Sequence, residues 1–268
     1  MAGGPDDSSL TRVQPFFAAL FSRDASGRTW LPGLLAATPN GRSTLGELVD
    51  TPGSLMSSLS VPGGGGSLAC FEYPAAPPRE LLAWFIEHPS ELVWPPGAKL
   101  SQETVRLRRA LLYDDPPGAR VRAQERAREL LTRRSPFSRE WWRFEGVTQL
   151  DCVLMTDRLV VTVEGKRRES LSPATDWFPQ RSQLVRNLEG ARQLAEGRRW
   201  ASLLLSERPL ADGTDEHLDQ TLAASAPHLN AVERNELRAG YLGNLTWDAA
   251  CAAVDLPFAS LPDTTESC

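Results

Sequence analysis

The chain has 268 residues, 41% hydrophobic and 24% charged, with a net charge of −5. That apolar content supports one substantial core, and the acidic balance argues against a protein that coats nucleic acid with its whole surface. Four separated cysteines (Cys70, Cys152, Cys251 and Cys268) and three histidines make no zinc pattern. No apolar run reaches the ~18 residues of a membrane span, and the amino terminus lacks a basic-then-apolar leader. A cytoplasmic protein with no membrane partner is therefore expected.

Residues 1–9 are small and polar and read as a frayed tail. Residues 11–21 carry Val13, Phe16, Phe17, Leu20 and Phe21 near helical spacing. Residues 38–66 are rich in Gly, Ser, Thr and Pro, and the stretch 60–66 with its four glycines reads as a linker. A phosphate-cradling loop would need Gly-Lys-Ser/Thr after the glycines, and none follows. Helices are predicted at 78–88, at 101–113 with Ser101 as cap, and at 120–134. Residues 114–118, DDPPG, break the chain and suggest a boundary near 115. From 105 to 134 there are nine arginines against four acidic residues, either a solvated helix face or a phosphate-facing one.

Three strands are predicted next, at 141–147, 150–155 and 159–166, the last two joined by a short turn. A helix at 183–196 and a buried strand at 200–205 follow. Residues 217–258 read as mainly helical, most clearly at 231–239 and 246–254. The expected organisation is an amino-terminal region 1–115, a core 116–210 and a helical segment 211–268. Strands broken by one helical crossover predict an α/β fold with a mixed sheet.

The stretch LDCVLMTDRLVVTVEGKRRE, residues 150–169, carries the only cluster that looks like chemistry. Alternate strand residues share a face, so Glu164 and Lys166 emerge together while Val161 and Val163 face a core. A hairpin about 156–158 brings Asp151 beside Glu164. Two carboxylates ~4 Å apart repel by about 4 kcal/mol at an effective dielectric of ~20, so a proton, a lysine or a divalent cation must offset them. Few hard oxygen ligands suit Mg²⁺ or Mn²⁺.

Asp151, twelve residues, then Glu164-Gly165-Lys166 resembles the motif of the PD-(D/E)XK nuclease superfamily, although Leu150 stands where that motif has proline. The resemblance covers roughly a third of the chain. It implies a restriction-endonuclease-like αβββαβ core, with flanking amino- and carboxy-terminal helices. It implies Mg²⁺-dependent hydrolysis of a phosphodiester bond, with nucleic acid, foremost DNA, as partner. Asp151, Glu164 and the Gly165 carbonyl would hold metal, and Lys166 would support the attacking water. It further suggests Gln183 as the polar helix residue of the site, with Gln180 and Arg181 as rivals, and Glu125, Glu129 or Glu145 as an accessory acid. Arg167, Arg168 and Arg181 would bind phosphate. A homodimer or larger complex is compatible with all of this. The rival expectation is a catalytically inactive module of the same fold that binds nucleic acid or a protein partner.

Overall fold

A computed structural model describes residues 8–56 and 71–263. The Gly-rich 60–66 stretch lies outside the described residues. The helices are α1 (Gln14–Arg23), α2 (Leu31–Ala37), α3 (Gly41–Leu45), α4 (Arg79–Glu87), α5 (Gln102–Tyr113), α6 (Ala119–Arg133), α7 (Gln183–Leu194), α8 (Asp215–Ser225), α9 (Ala231–Ala239) and α10 (Trp247–Ala253). The strands are β1 (Phe71–Ala75), β2 (Thr148–Met155), β3 (Leu159–Lys166), β4 (Arg199–Ser206) and β5 (Tyr241–Thr246).

The strands form one open mixed sheet in the order β1-β2-β3-β4-β5. β2 runs antiparallel to both of its neighbours, β1 and β3, and β4 and β5 run parallel to β3. The protein is thus α/β, as the element pattern predicts. β3 is central and every residue in it is buried, so its valines pack on both sides. On one face Val161, Val163, Leu203 and Leu205 meet Phe16, Phe17, Leu34 and Trp247 from α1, α2 and α10. On the other, Leu204 joins Leu184, Leu188, Leu222 and Leu237 from α7, α8 and α9. Two apolar strand faces therefore produce three layers. Among the described residues, no helix is long and apolar enough to cross a membrane.

Two strands differ from expectation. Residues 141–147 form turns, not a strand. Their aromatic residues close a second apolar cluster with α4, α5 and α6, built on Trp141, Trp142, Phe144, Trp177 and Phe178. Arg108 is its polar peg, with its guanidinium carbon 4.1 Å from the Trp177 ring centre and Nε donating to the Trp141 carbonyl at 2.7 Å. Burial, with a smaller effect from Arg143, pushes the Arg108 guanidinium down to about 10. The sheet's first strand is β1 instead, so α4, α5 and α6 are an insertion between β1 and β2. In the carboxy-terminal segment, expected to be mainly helical, β5 lies between α9 and α10.

The expected division at 115 does not follow the packing. β1 and α1 share the sheet's core, and α6 packs on α4 and α5 across that position. Residues 38–56, for all their Gly, Ser, Thr and Pro, hold α3 and a 3₁₀ turn at Gly46–Val49.

Candidate active site at the end of the central strands

The ladder between β2 and β3 pairs Met155 with Val160 through to Cys152 with Val163. One step further the Gly165 N–H turns to the Asp151 carboxylate, donating to Oδ2 at 2.8 Å. A side chain thus replaces a ladder partner where β2 leaves β3, and this fixes Asp151 at the strand end. On its other edge β2 pairs Cys152 with Phe71 and Leu150 with Tyr73, which sets Glu72 of β1 opposite Asp151. Glu72 has a φ of 50°, a left-handed backbone for a non-glycine residue.

Glu164 faces α7. Its Oε1 accepts from Gln183 Nε2 at 2.6 Å and lies 2.7 Å from Lys166 Nζ, and its Oε2 accepts from Asn187 Nδ2 at 2.9 Å. The Gln183 Oε1 accepts from the Ser172 N–H at 3.1 Å, which orients its amide toward Glu164. Glu164 and Lys166 are both buried. Burial works to lower the Lys166 pKa, but the charge and hydrogen bond of Glu164 outweigh it and the net shift is upward. Lys166 is therefore a fixed cation at neutral pH.

Asp151 is the discordant group. Burial and the nearby Glu164 charge hold its carboxyl well above the usual carboxylate range, and Glu72 adds to this. The Gly165 N–H and the Lys166 charge only partly oppose them.

The expected residues separate into two sets. Asp151, Glu164, Gly165, Lys166 and Gln183 come together. Glu125 and Glu129 do not join them, because α6 belongs to the second apolar cluster, and Glu129 pairs with Arg126 and Arg133 on its own helix. Glu145 sits in a loop, not on a strand, and its carboxylate is taken by Arg181 at 2.6 and 3.0 Å. Arg181 is fully buried between Glu145 and Glu189 and presents nothing to a phosphate. Arg167 is also buried and bonds to Glu207 at 2.8 Å. Of the three arginines expected to bind phosphate, Arg168 alone is exposed.

Asn187 escaped the sequence reading. It stands four residues after Gln183, on the same helix face, and that spacing was the available signal. Its amide orientation is fixed, because the opposite one would aim an oxygen at Glu164. Glu72 carried no comparable signal.

An amino-terminal π-helical turn, Ser9–Val13, packs against this strand end. Of the expected tail, residues 1–7 lie outside the described residues, and Ser8 and Ser9 are buried. Ser8 Oγ donates to the Gly165 carbonyl at 2.9 Å, and Ser9 Oγ donates to Glu72. A Cβ on Gly165 would fall 2.2 Å from Val13 Cγ2 and 3.2 Å from the Trp247 ring. Gly165→Ala is therefore expected to lower stability by about 1–3 kcal/mol, read from the denaturation midpoint in urea at unchanged m-value.

No family model, curated protein or solved structure matches this chain. Among the described residues, no three His, Cys, Asp or Glu side chains are grouped to hold a metal ion. A cation here would rest on Asp151, one oxygen of Glu164 and water. The donor set still fits a hard divalent ion, which keeps several waters. The observation that favours it is the upward-shifted Asp151 carboxyl, whose excess of neighbouring negative charge a cation would reverse. Glu164 Oε1 already takes two donors, Lys166 and Gln183, whereas Oε2 takes one, Asn187, and keeps a lone pair for such an ion.

Proposed function

We propose that the chain is a metal-dependent nuclease that hydrolyses phosphodiester bonds, with DNA as substrate and a PD-(D/E)XK-like arrangement of residues in a restriction-endonuclease-like core. The observation that carries this reading is the junction of Asp151, Glu164, Lys166 and Gln183 at one end of adjacent strands, with the helix of Gln183 crossing between β3 and β4. The order of a helix, three strands, a crossover helix and a fourth strand supports it too, with α4, α5 and α6 inserted after the first strand.

Bound Mg²⁺ or Mn²⁺ would supply charge neutralisation at the phosphate and lower the pKa of a coordinated water. The protein's own groups do the rest. Asp151 and Glu164 provide hard oxygen donors. Lys166, held protonated by Glu164, supplies a cation that stabilises negative charge growing on the phosphorus oxygens. Gln183 and Asn187 fix the Glu164 carboxylate so that it need not reorganise during the reaction. Arg168, which is exposed, would hold the substrate backbone.

Incubation of labelled single-stranded, duplex and branched DNA with Mg²⁺ or Mn²⁺ tests the reading. Metal-dependent cleavage is expected, with Glu164→Gln and Lys166→Ala each reducing the rate by about 10²–10³-fold. Intact substrates in every condition, or full activity in Lys166→Ala, would overturn it. A second reading, a binding module that does not cleave, is favoured by the burial of Glu164 and Lys166 beside the amino-terminal turn. It predicts no heat of binding on titration with Mn²⁺.

A further inference from the structure

Two arginines meet where β3 ends. Arg12, from the amino-terminal turn, and Arg167, next to Lys166, are both almost wholly buried, with side chains 3% and 4% exposed. They converge on one oxygen of Glu207, Arg12 Nη2 at 2.7 Å and Arg167 Nε at 2.8 Å. Burial works to raise the Glu207 carboxyl, but hydrogen bonding and charge from Arg167 and Arg12 leave it below its ordinary value. Glu207 is thus a full anion, yet it is one charge against two.

Residues near the carboxy terminus supply much of the remaining oxygen. Arg12 Nη1 donates to the Pro262 carbonyl, and Arg12 Nη2 lies 3.3 Å from Asp263 Oδ1. Arg167 Nη1 donates to the Asp263 carbonyl at 2.8 Å. These acceptors cover the pair from the solvent side. Leu261 is buried in the sheet's core, whereas the Asp263 side chain is 90% exposed. Arg12 Nε is buried and meets no hydrogen-bond partner among the described residues.

We infer that Arg12 and Arg167 form a binding site for the phosphate groups of a nucleic-acid backbone, and that Pro262–Asp263 occupies it in the unliganded protein. Three carboxy-terminal oxygens stand where phosphate oxygens would bind, on planar guanidiniums suited to them. The site adjoins the candidate active site, since Arg167 follows Lys166 and the turn that carries Arg12 also places Val13 over Gly165. The assignment rests on the nuclease reading for its choice of ligand. It would give an acidic chain a pair of cations for an anionic polymer.

The experiment is fluorescence anisotropy of labelled single-stranded and duplex DNA in EDTA, which reads binding with no cleavage. Chains ending at Leu261 are expected to bind about tenfold more tightly than the full chain, with a steeper fall in affinity as salt rises. Arg167→Gln in the shortened chain should return affinity to the full chain's level. Equal affinity of the two folded chains would overturn the proposal. Should the shortened chain fail to fold, Asp263→Ala in the full chain decides, with tighter binding expected and unchanged binding fatal. Cleavage of the same DNA with Mn²⁺ is scored separately. Tighter binding without cleavage sinks the nuclease reading alone, and cleavage with tail-independent binding sinks the arginine site alone.

Discussion

Arg181→Met is expected to lower folding stability by about 3–5 kcal/mol, a large share of what a domain of this size possesses. Arg181 is fully buried, and its guanidinium binds Glu145 through two nitrogens, Glu189, and the Ser225 carbonyl at 3.1 Å. Removing it leaves two carboxylates in the interior without their cation. His228, with Nε2 3.2 Å from Glu189, is the remaining basic partner on that carboxylate. A chain with Arg181→Met, Glu145→Gln and Glu189→Gln together should recover much of the loss, because no uncompensated charge is left.

The pH dependence distinguishes this from a packing defect. Burial alone would raise the Glu189 pKa, but Arg181 and His228 hold it below its ordinary value of 4.5. A carboxyl with a lowered folded pKa contributes stability that is present above the ordinary value and lost as pH falls through the lowered one. With Arg181 gone the shift reverses, so acidification from neutral pH toward 4.5 should stabilise the variant relative to the native chain. Urea titrations across that range read the difference.

This cluster also marks where sequence reading ends. Charged residues in a hydrophilic stretch read as surface, and Arg181 looked like a phosphate ligand. Its partner Glu145 lies 36 residues away and was read as a site acid. Only the tertiary fold brings the two together, and the same holds for Arg167 and Glu207, 40 residues apart. β3, in contrast, announces itself, because a central strand must be apolar on both faces and LVVTVEGK, but for Thr162, is apolar until its end. Gln183 and Asp151 were legible because a hairpin and the first turn of a helix are local structures.

The missed strands lack such local marks. β1 has five residues, contains Pro74, and bends at Glu72. It is a strand because the edge of β2 holds it. β5 contains Gly243 at a φ of 96°, close under Pro39, and its pairing with β4 slips between Ser202 and Leu204. Between two helices, its six residues carry too little alternation to be read. Residues 141–147 failed in the opposite sense. Their aromatic content suits a strand, but the insertion's own core uses it to pack around Arg108.

Asp151→Asn is expected to stabilise the protein in EDTA while reducing metal-dependent cleavage by about 10³-fold. An asparagine oxygen can still accept the Gly165 N–H that Asp151 accepts at 2.8 Å. What disappears is the charge, which burial, Glu164 and Glu72 all disfavour. A carboxyl with a raised folded pKa binds its proton more tightly in the native state, so native stability falls as pH rises from the ordinary value through the raised one. The native chain in EDTA should therefore melt at progressively lower temperature as pH rises through that window toward neutrality. Asp151→Asn should lose this component and keep the higher stability. Mn²⁺ reverses the order, because an ion bound by the native state alone stabilises it by mass action. The native chain should gain melting temperature with Mn²⁺ and the variant should gain little. A variant less stable than the native chain in EDTA would mean that the Asp151 charge supports the fold, leaving the strand-end carboxylate with no unmet need for a cation.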